Sequence, residues 1–365
     1  MKKTEPITTG QMACLFFAFL LGSAIINIPQ PLIEAAKNGA WISVILANGC
    51  GMGLITCIFY LYHNNPALNF IGHIQQKFGR SLMLLFSIPI VLQLFLMLSY
   101  IIMDIGNFFT TSMMKQTPSY MFHFFILLVS ALSVRTGFEV MARMFVLLLS
   151  YLLFFSIIVI ILTIPFFHVE YLLPVLPDGI KPVLHGAYRN LGFPYVEIIL
   201  FSLLLPFVHK SERKSLQIKM FSVVIIHGLL LILAVACIIM AFGPLAGTLK
   251  YSLFQLARLI NIREIVTRVE SFIGIALVVG SYMKATITLF ILKELLGSVF
   301  RLENKDIIIF PITLVSLLLS LTLFTNELEF TEAVQVVYPL YTTVIAVIPL
   351  LFITVVTLIK DGNNR

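Results

Sequence analysis

Three charged side chains lie inside long apolar segments of this 365-residue chain. They are Asp104 in "SYIIMDIGNFF", Glu197 in "GFPYVEIILF" and Lys284 in "VVGSYMKATITLF". Because charge at membrane depth is energetically expensive, these residues are the first candidates for binding a charged solute or exchanging a proton. Lys284 must pair with a carbonyl or carboxylate oxygen, or lose its proton. The alternative is that its long side chain extends to the membrane surface.

Polar neighbours share helical faces with these charges. Tyr100 precedes Asp104 by four residues, and Ser281 precedes Lys284 by three. Glu197 lies in the first turn after a proline, and its apolar continuation favours a position facing a cavity. It would there cap free amides or approach the amine of a ligand. The alternative for Asp104 is simple solvation near the outer membrane surface.

The stretch "TRVESF" adds Arg268 and Glu270 at the start of another apolar run. Residues two apart point to different sides of a helix. We therefore expect each of them to find its partner on another element.

Motifs of catalysis and of cofactor binding are missing from the sequence. It contains no HExxH, no Walker loop and no GxSxG, so we predict neither an enzyme nor a cofactor. The four cysteines lie in apolar runs without metal-ligand spacing, which is typical of small packing residues. The net charge of +7 falls mostly in short loops, which argues against a nucleic-acid partner.

Two of the apolar runs are interrupted by helix-breaking residues. The first contains "LLGSAIINIPQP" (20–31) and the second "LGFPY" (191–195). Proline cannot donate the helical hydrogen bond, and glycine lowers the energy of non-helical dihedrals. Unwound backbone at membrane depth is tolerated only where it is buried in protein or lines a cavity. Each interruption alone is compatible with a mere bend, but matched interruptions five spans apart predict a binding site.

The broken backbone itself suggests which solute would bind. We expect the amides of Ser23, Ala24 and Ile25 to lose their helical partners and to attract a carboxylate. The second half of the helix should begin between Asn27 and Pro29, since first-turn amides need no partner. Carbonyl oxygens freed near Gly22 and residues 190–192 would accept from an ammonium group. An α-amino acid satisfies both sets of groups.

The composition defines the elements that must position these residues. The chain is 59% hydrophobic and 11% charged, more apolar than a water-soluble domain. Recurrent apolar runs predict an all-α integral membrane protein whose first run is retained rather than removed as a signal peptide. We expect one polytopic domain, residues 1–365, with ten spans: 11–36, 40–62, 81–109, 119–136, 143–166, 187–208, 217–241, 270–297, 306–325 and 333–359. Its two five-helix halves are about 11–166 and about 187–359, each beginning with a broken helix.

The distribution of Lys and Arg predicts the orientation. These residues are concentrated in the loops on the same side as both termini, above all in "HKSERK" (209–214). Because cytoplasmic loops carry the excess of basic residues, we expect both termini in the cytoplasm. The segment 243–269 has apolar residues at helical spacing and should cover the opposite side.

Several stretches together resemble a known family. "LGSAIINIP" is similar to the Gly-Ser-x-Ile-x-x-x-Pro break of amino acid–polyamine–organocation transporters. Four others look like the B-subunits of spore germination receptors, the spore permeases: "AWIS" (40–43), "GFPYVEIILFSLLLPF" with Glu197, "LFQLARLINI" and "TRVESF". The resemblance runs over nearly the whole chain, and its ten-span count agrees with ours.

The resemblance implies a LeuT-like fold of two inverted five-helix repeats in the inner membrane of a spore. The protein would sense a nutrient, such as an amino acid, together with an A-subunit and a lipoprotein C-subunit. The ligand-binding residues carried over are Gly22, Ser23, Ala24, Ile25, Gly192, Phe193 and Tyr195. The chain departs from the family before the span-two Trp, where an Asp is common and Asn38, Gly39 and Ala40 stand here.

Three functions remain open from the sequence. The chain is a ligand-gated receptor subunit, a secondary amino acid transporter coupled to protons through Lys284 or Glu197, or a structural member of a membrane complex that binds no ligand. In the first two, Tyr100, Phe193 and Tyr195 would select the side chain of the ligand.

Overall fold

The computed structural model describes residues 6–260 and 269–363, and these form a bundle of helices. Ten helical segments in those ranges are long and apolar enough to cross a membrane, which confirms the predicted ten-span membrane protein. The helical segments, span by span, are Thr9–Leu21, Ala24–Asn27 and Pro29–Ala36 (one); Ala40–Asn64 (two); Phe70–Phe108 (three); Ser119–Thr136 (four); Phe138–Thr163 (five); Ile180–Asn190, Leu191–Tyr195, Ile198–Phe201 and Ser202–Phe207 (six); Arg213–Phe242 (seven); Glu270–Val299 (eight); Ile309–Thr322 (nine); Glu327–Glu332, Ala333–Val337, Tyr338–Thr342, Thr343–Val347 and Ile348–Asn363 (ten). A short helix, Ser252–Arg258, lies between spans seven and eight.

Several helices extend beyond the apolar runs that predicted them. Span six begins at Ile180 and span ten at Glu327, six or seven residues before their apolar runs. Span three begins at Phe70, and Gly79 (φ 82°) separates its short first helix from the part within the apolar run. An apolar run marks the residues that face lipid or core, whereas backbone hydrogen bonding continues into polar residues covered by other helices.

Spans one, six and eight form the centre of the bundle. In their most apolar windows 78%, 78% and 83% of residues are buried, against 28% in spans four, five and nine. The two broken helices and the helix that carries Lys284 are therefore enclosed by protein, while the peripheral spans present their apolar side chains to lipid.

The break in span one occurs at Gly22, whose dihedrals are φ 13° and ψ −111°. Its amide is the last to donate to the first helix, to the oxygen of Ala18 at 2.9 Å. Span eight packs directly against this point, since a Cβ added to Gly280 would lie 2.3 Å from the Gly22 carbonyl oxygen. Span eight therefore lies beside the break in span one.

A helix begins at Pro29, within the predicted range, with the proline in its first turn. A separate short helix, Ala24–Asn27, lies between this helix and the break and was not predicted. Ile28 keeps helical dihedrals (φ −78°, ψ −38°), and its amide donates to the Ala24 oxygen at 2.9 Å. Pro29 fits the start of this helix because first-turn amides need no helical partner and its fixed φ suits the helix.

The break in span six occurs at Phe193, whose backbone is extended (φ −136°, ψ 117°) and precedes a cis peptide bond to Pro194. A Cβ added to Gly192 would lie 2.5 Å from the Cα of Pro339 in span ten. Gly192 thus allows span ten to approach the break closely.

At the end of the bundle that carries the termini, the residues before and at the start of span one bond to the end of span six and to the segment after it. The amide of Ile7 donates to the Phe207 oxygen (3.0 Å), and the His209 amide donates to the Ile7 oxygen (3.1 Å). The amide and hydroxyl of Thr9 donate to the Glu212 carboxylate at 2.9 and 3.0 Å, and these bonds lower the pKa of Glu212. We call residues 7–9 the N-terminal latch.

Candidate ligand-binding site

A cavity of about 520 Å³ lies between the two breaks, within the usual range of small-molecule sites. Its lining residues include Ser23, Asn27, Tyr100, Asp104, Asn190, Phe193, Glu197 and Tyr338. It extends along the second half of span one to Glu34, and further to Lys250 and Glu327. Since Glu327 begins span ten and Lys250 follows span seven, the cavity faces the end opposite the N-terminal latch.

The innermost charged group of the cavity is an ion pair. Lys284 Nζ lies 2.5 Å from Glu197 Oε2, and both side chains are almost completely buried. The Tyr338 hydroxyl donates to Glu197 Oε1 at 2.9 Å. The ammonium also lies 3.9 Å from the ring centroid of Phe193, a favourable cation–π position.

This pair decides between the alternatives for Lys284. Its side chain is 0% exposed, so extension to the membrane surface is wrong, and pairing with a carboxylate is confirmed. Both oxygens of Glu197 have donors, and its negative charge is matched by that of the ammonium. The innermost part of the cavity is thus electrically compensated.

Backbone amides at the span-one break are the second polar feature. Those of Ser23, Ala24 and Ile25 donate to no backbone oxygen within the described residues. The Ser23 oxygen, in contrast, accepts from the amide of Asn27 at 3.0 Å. Ser23 lines the cavity and is 3% exposed. Free amides of this kind favour an anionic group of a bound solute.

Asp104 and Asn27 form the third feature. Asn27 Nδ2 donates to Asp104 Oδ2 at 2.5 Å, and both residues line the cavity. Asp104 is partly exposed and lines the cavity, so its carboxylate is bonded to protein as well as accessible from the cavity. Tyr100, one turn earlier, lines the same wall and packs against Tyr338 at a centroid distance of 5.7 Å.

The other predicted site residues lie behind the cavity wall rather than in it. Tyr195 is completely buried, and its hydroxyl accepts from Asn48 Nδ2 at 3.0 Å. The Ser281 hydroxyl is buried without a partner in the described part of the chain. The remaining buried, non-lining residues are Gly22, Ala24, Ile25 and Gly192. Glu270 begins span eight outside the cavity, and Arg268 lies outside the described residues.

Several cavity residues were not predicted from the sequence as site residues. They are Tyr338, the side chains of Asn27 and Asn190, and two ion pairs at the open end, Lys250 with Glu327 and Arg189 with Glu34 (3.8 Å). Asn190 is 2% exposed, and neither polar atom of its side chain has a partner in the described residues. In the sequence, Asn190 was indicated only by its position next to the predicted break. The four residues of the two ion pairs at the open end looked like ordinary charged residues of loops.

Residues 6–328 match the profile of the spore permease family, described as spore germination proteins. The chain belongs to this family. It is 29% identical over 343 residues to spore germination protein KB of Bacillus subtilis (strain 168), with 92% of this chain and 90% of that protein covered. The family inferred from the short motifs is therefore confirmed.

Solved structures show the same fold. One is MhsT in complex with L-phenylalanine, with a TM-score of 0.72 at 14% identity, covering 94% of this chain and 89% of that chain. Another is Mhp1, a nucleobase-cation-symport-1 family transporter, with a TM-score of 0.68 at 13% identity, covering 94% and 75%. The fold of this spore germination protein is thus the predicted one, with two inverted five-helix repeats and helices one and six broken.

Proposed function

We propose that this chain is the nutrient-sensing subunit of a spore germination receptor and that it binds a small zwitterion, such as an amino acid, between the broken helices. The observation that carries the proposal is the set of free amides at the span-one break, where Ser23 lines a cavity of about 520 Å³ and Ala24 and Ile25 follow it in the chain. A buried amide without an acceptor is unfavourable. A ligand carboxylate would satisfy these amides, whereas the compensated Glu197–Lys284 pair offers no free positive charge.

Membership of the spore germination protein family supports the sensing role. As a receptor subunit the chain would lie in the inner membrane of the spore, with an A-type and a C-type subunit as partners. The excess of Lys and Arg in the loops on the side of the termini supports a cytoplasmic position for both ends. Ligand binding would then shift the bundle between two conformations.

A binding experiment with a blocked cavity tests the proposal. Thr331 lines the cavity on span ten, so Thr331→Trp should fill it and weaken amino acid binding at least tenfold. Val337, on the same span, is 59% exposed and lies outside the cavity, so Val337→Trp is the matched control. Isothermal titration of the purified full chain with each of the twenty amino acids gives the affinities. Equal affinities in the two variants, or no binding to the wild type, would refute the proposal.

Coupled transport is the second candidate function, favoured by the shared fold with MhsT and Mhp1. The buried Glu197–Lys284 pair supplies two groups between which a coupling proton could be exchanged. Uptake of radiolabelled amino acid into proteoliposomes measures transport directly. Accumulation above that of protein-free liposomes would establish transport, and binding without accumulation would leave sensing.

A further inference from the structure

The cavity holds four carboxylates, and one of them differs from the others. Three form ion pairs: Glu34 with Arg189, Glu197 with Lys284, and Glu327 with Lys250. Asp104 has no cationic group within ion-pair distance among the described residues, and its hydrogen-bond partner there is the neutral side chain of Asn27. A carboxylate enclosed by protein is strongly favoured by a positive partner. The cavity thus contains one negative charge that the described protein does not neutralise by contact.

The nearest basic residue of the cavity rim is already engaged elsewhere. Lys250 forms its ion pair with Glu327, and its ammonium lies 4.9 Å from the ring centroid of Tyr251. The 2.5 Å bond from Asn27 occupies one Asp104 oxygen, Oδ2, and fixes the carboxylate at the cavity wall. The other oxygen, Oδ1, makes no hydrogen bond with a described residue and can accept from a ligand.

The surroundings of Asp104 suit an organic cation. Tyr100 lies one turn before Asp104 and lines the same cavity, and ring faces attract ammonium groups. The free oxygen of Asp104 can accept one of the three hydrogens of a primary ammonium. Asn190, also in the cavity lining, has a buried amide oxygen without a partner among the described residues.

We propose that Asp104, positioned by Asn27, binds the ammonium group of the ligand and restricts the cavity to solutes that carry a protonated amine. The inference rests on the proposed function for the place where the ligand binds, and it adds the residue that recognises the ammonium group and makes that group a requirement for binding. Nutrients without an amine, such as sugars or carboxylic acids, would be excluded. Glu197 does not compete for this role because Lys284 already neutralises it.

The test compares Asp104→Asn with Asp178→Asn in the purified full chain. Asp178 pairs with the exposed Lys37 outside the cavity, so this control makes the same substitution without touching the site. Isothermal titration would use the twenty amino acids, the 2-hydroxy acid analogue of any that binds, and simple amines such as ethanolamine. We expect Asp104→Asn to weaken amino acid binding at least tenfold, since a charge-assisted bond is lost, and Asp178→Asn to change it less than twofold.

In the wild type, the 2-hydroxy acid should bind at least tenfold more weakly than the amino acid, and Asp104→Asn should not weaken it further. Unchanged amino acid affinity in Asp104→Asn, with the thermal midpoint preserved, would overturn the inference and leave the proposed function standing. Binding of amines that depends on Asp104, without binding of any amino acid, would support the inference and refute the proposed function. If neither class binds, both are wrong.

Discussion

Glu197 and Lys284 are 87 residues apart in the sequence, yet their charged atoms lie 2.5 Å apart at the centre of the bundle. Either charge alone would be strongly unfavourable there. Together, with the Tyr338 hydroxyl on one oxygen and the Phe193 ring against the ammonium, they form one compensated unit. The two charges are therefore tolerated at this position only as a pair.

Removing one member of this pair should destabilise the protein far more than removing both. Glu197→Gln or Lys284→Met leaves a buried uncompensated charge and should lower the unfolding free energy by about 3–5 kcal/mol. The double variant should lie within about 1 kcal/mol of the wild type, because two well-packed neutral side chains replace the pair. Thermal unfolding of the four proteins measures this difference. As a control, Lys37→Met breaks an exposed pair and should change stability by less than about 1 kcal/mol.

Additive destabilisation in the double variant would show that the two charges do not compensate each other.

Sequence reasoning found Glu197 and Lys284 separately, because a charge in an apolar run is conspicuous. Their pairing could not be predicted from the sequence, since it depends on how spans six and eight pack. Tyr338 gave no signal at all because a tyrosine in a membrane helix is ordinary.

At the scale of the element, the broken helices depend on close packing between spans. The Gly22 carbonyl and Gly280 approach so closely that no side chain fits between spans one and eight. The sequence identified which two helices break, because glycine and proline act locally. It did not reveal the short helix Ala24–Asn27 between the break and Pro29, because tertiary packing decides how the chain between them turns.

Gly280→Ala tests the closeness of this contact. The added Cβ would lie 2.3 Å from the Gly22 oxygen, so the helices must separate, and we expect a loss of about 1–3 kcal/mol of stability. Gly53→Ala in span two meets no atom within 4 Å and should instead stabilise by about 0.5–1 kcal/mol. Thermal midpoints of both variants give the comparison. A Gly280→Ala protein as stable as Gly53→Ala would mean that the break does not rest against span eight.

At the scale of the whole molecule, the two ends of the bundle differ. At the end that carries the termini, the N-terminal latch joins the start of span one to the end of span six and to the segment after it. The cavity faces the opposite end. Hydropathy predicted the ten spans and basic residues predicted an orientation, but which end the cavity faces depends on contacts between distant segments. No local pattern encodes those contacts.

This asymmetry leads to a prediction about access to the cavity. Ile7 and Val208 pair across an isolated parallel bridge, and backbones so paired lie about 4.8 Å apart, within the ~4.4–6.8 Å Cα separation that a disulfide spans. Cysteines at both positions, in a chain whose native cysteines are replaced by alanine, should form a disulfide that locks the latch. Since the ligand enters from the other end, we expect amino acid affinity to differ less than twofold between the oxidised and reduced proteins.

The same locked protein separates sensing from transport. A transporter must open the latch in every cycle, so oxidation would abolish any uptake into proteoliposomes while binding persists. If the protein is a receptor that signals by moving the latch, the oxidised form should bind its ligand with unchanged affinity. In the reduced form, the ligand should increase protease cleavage or cysteine labelling near residue 7, and in the oxidised form this increase should be absent. Tenfold weaker binding after oxidation would contradict this prediction, because it would mean that the ligand reaches the cavity from the end that carries the termini. The reduced double-cysteine protein is the control for both measurements, since it differs from the oxidised form by one bond.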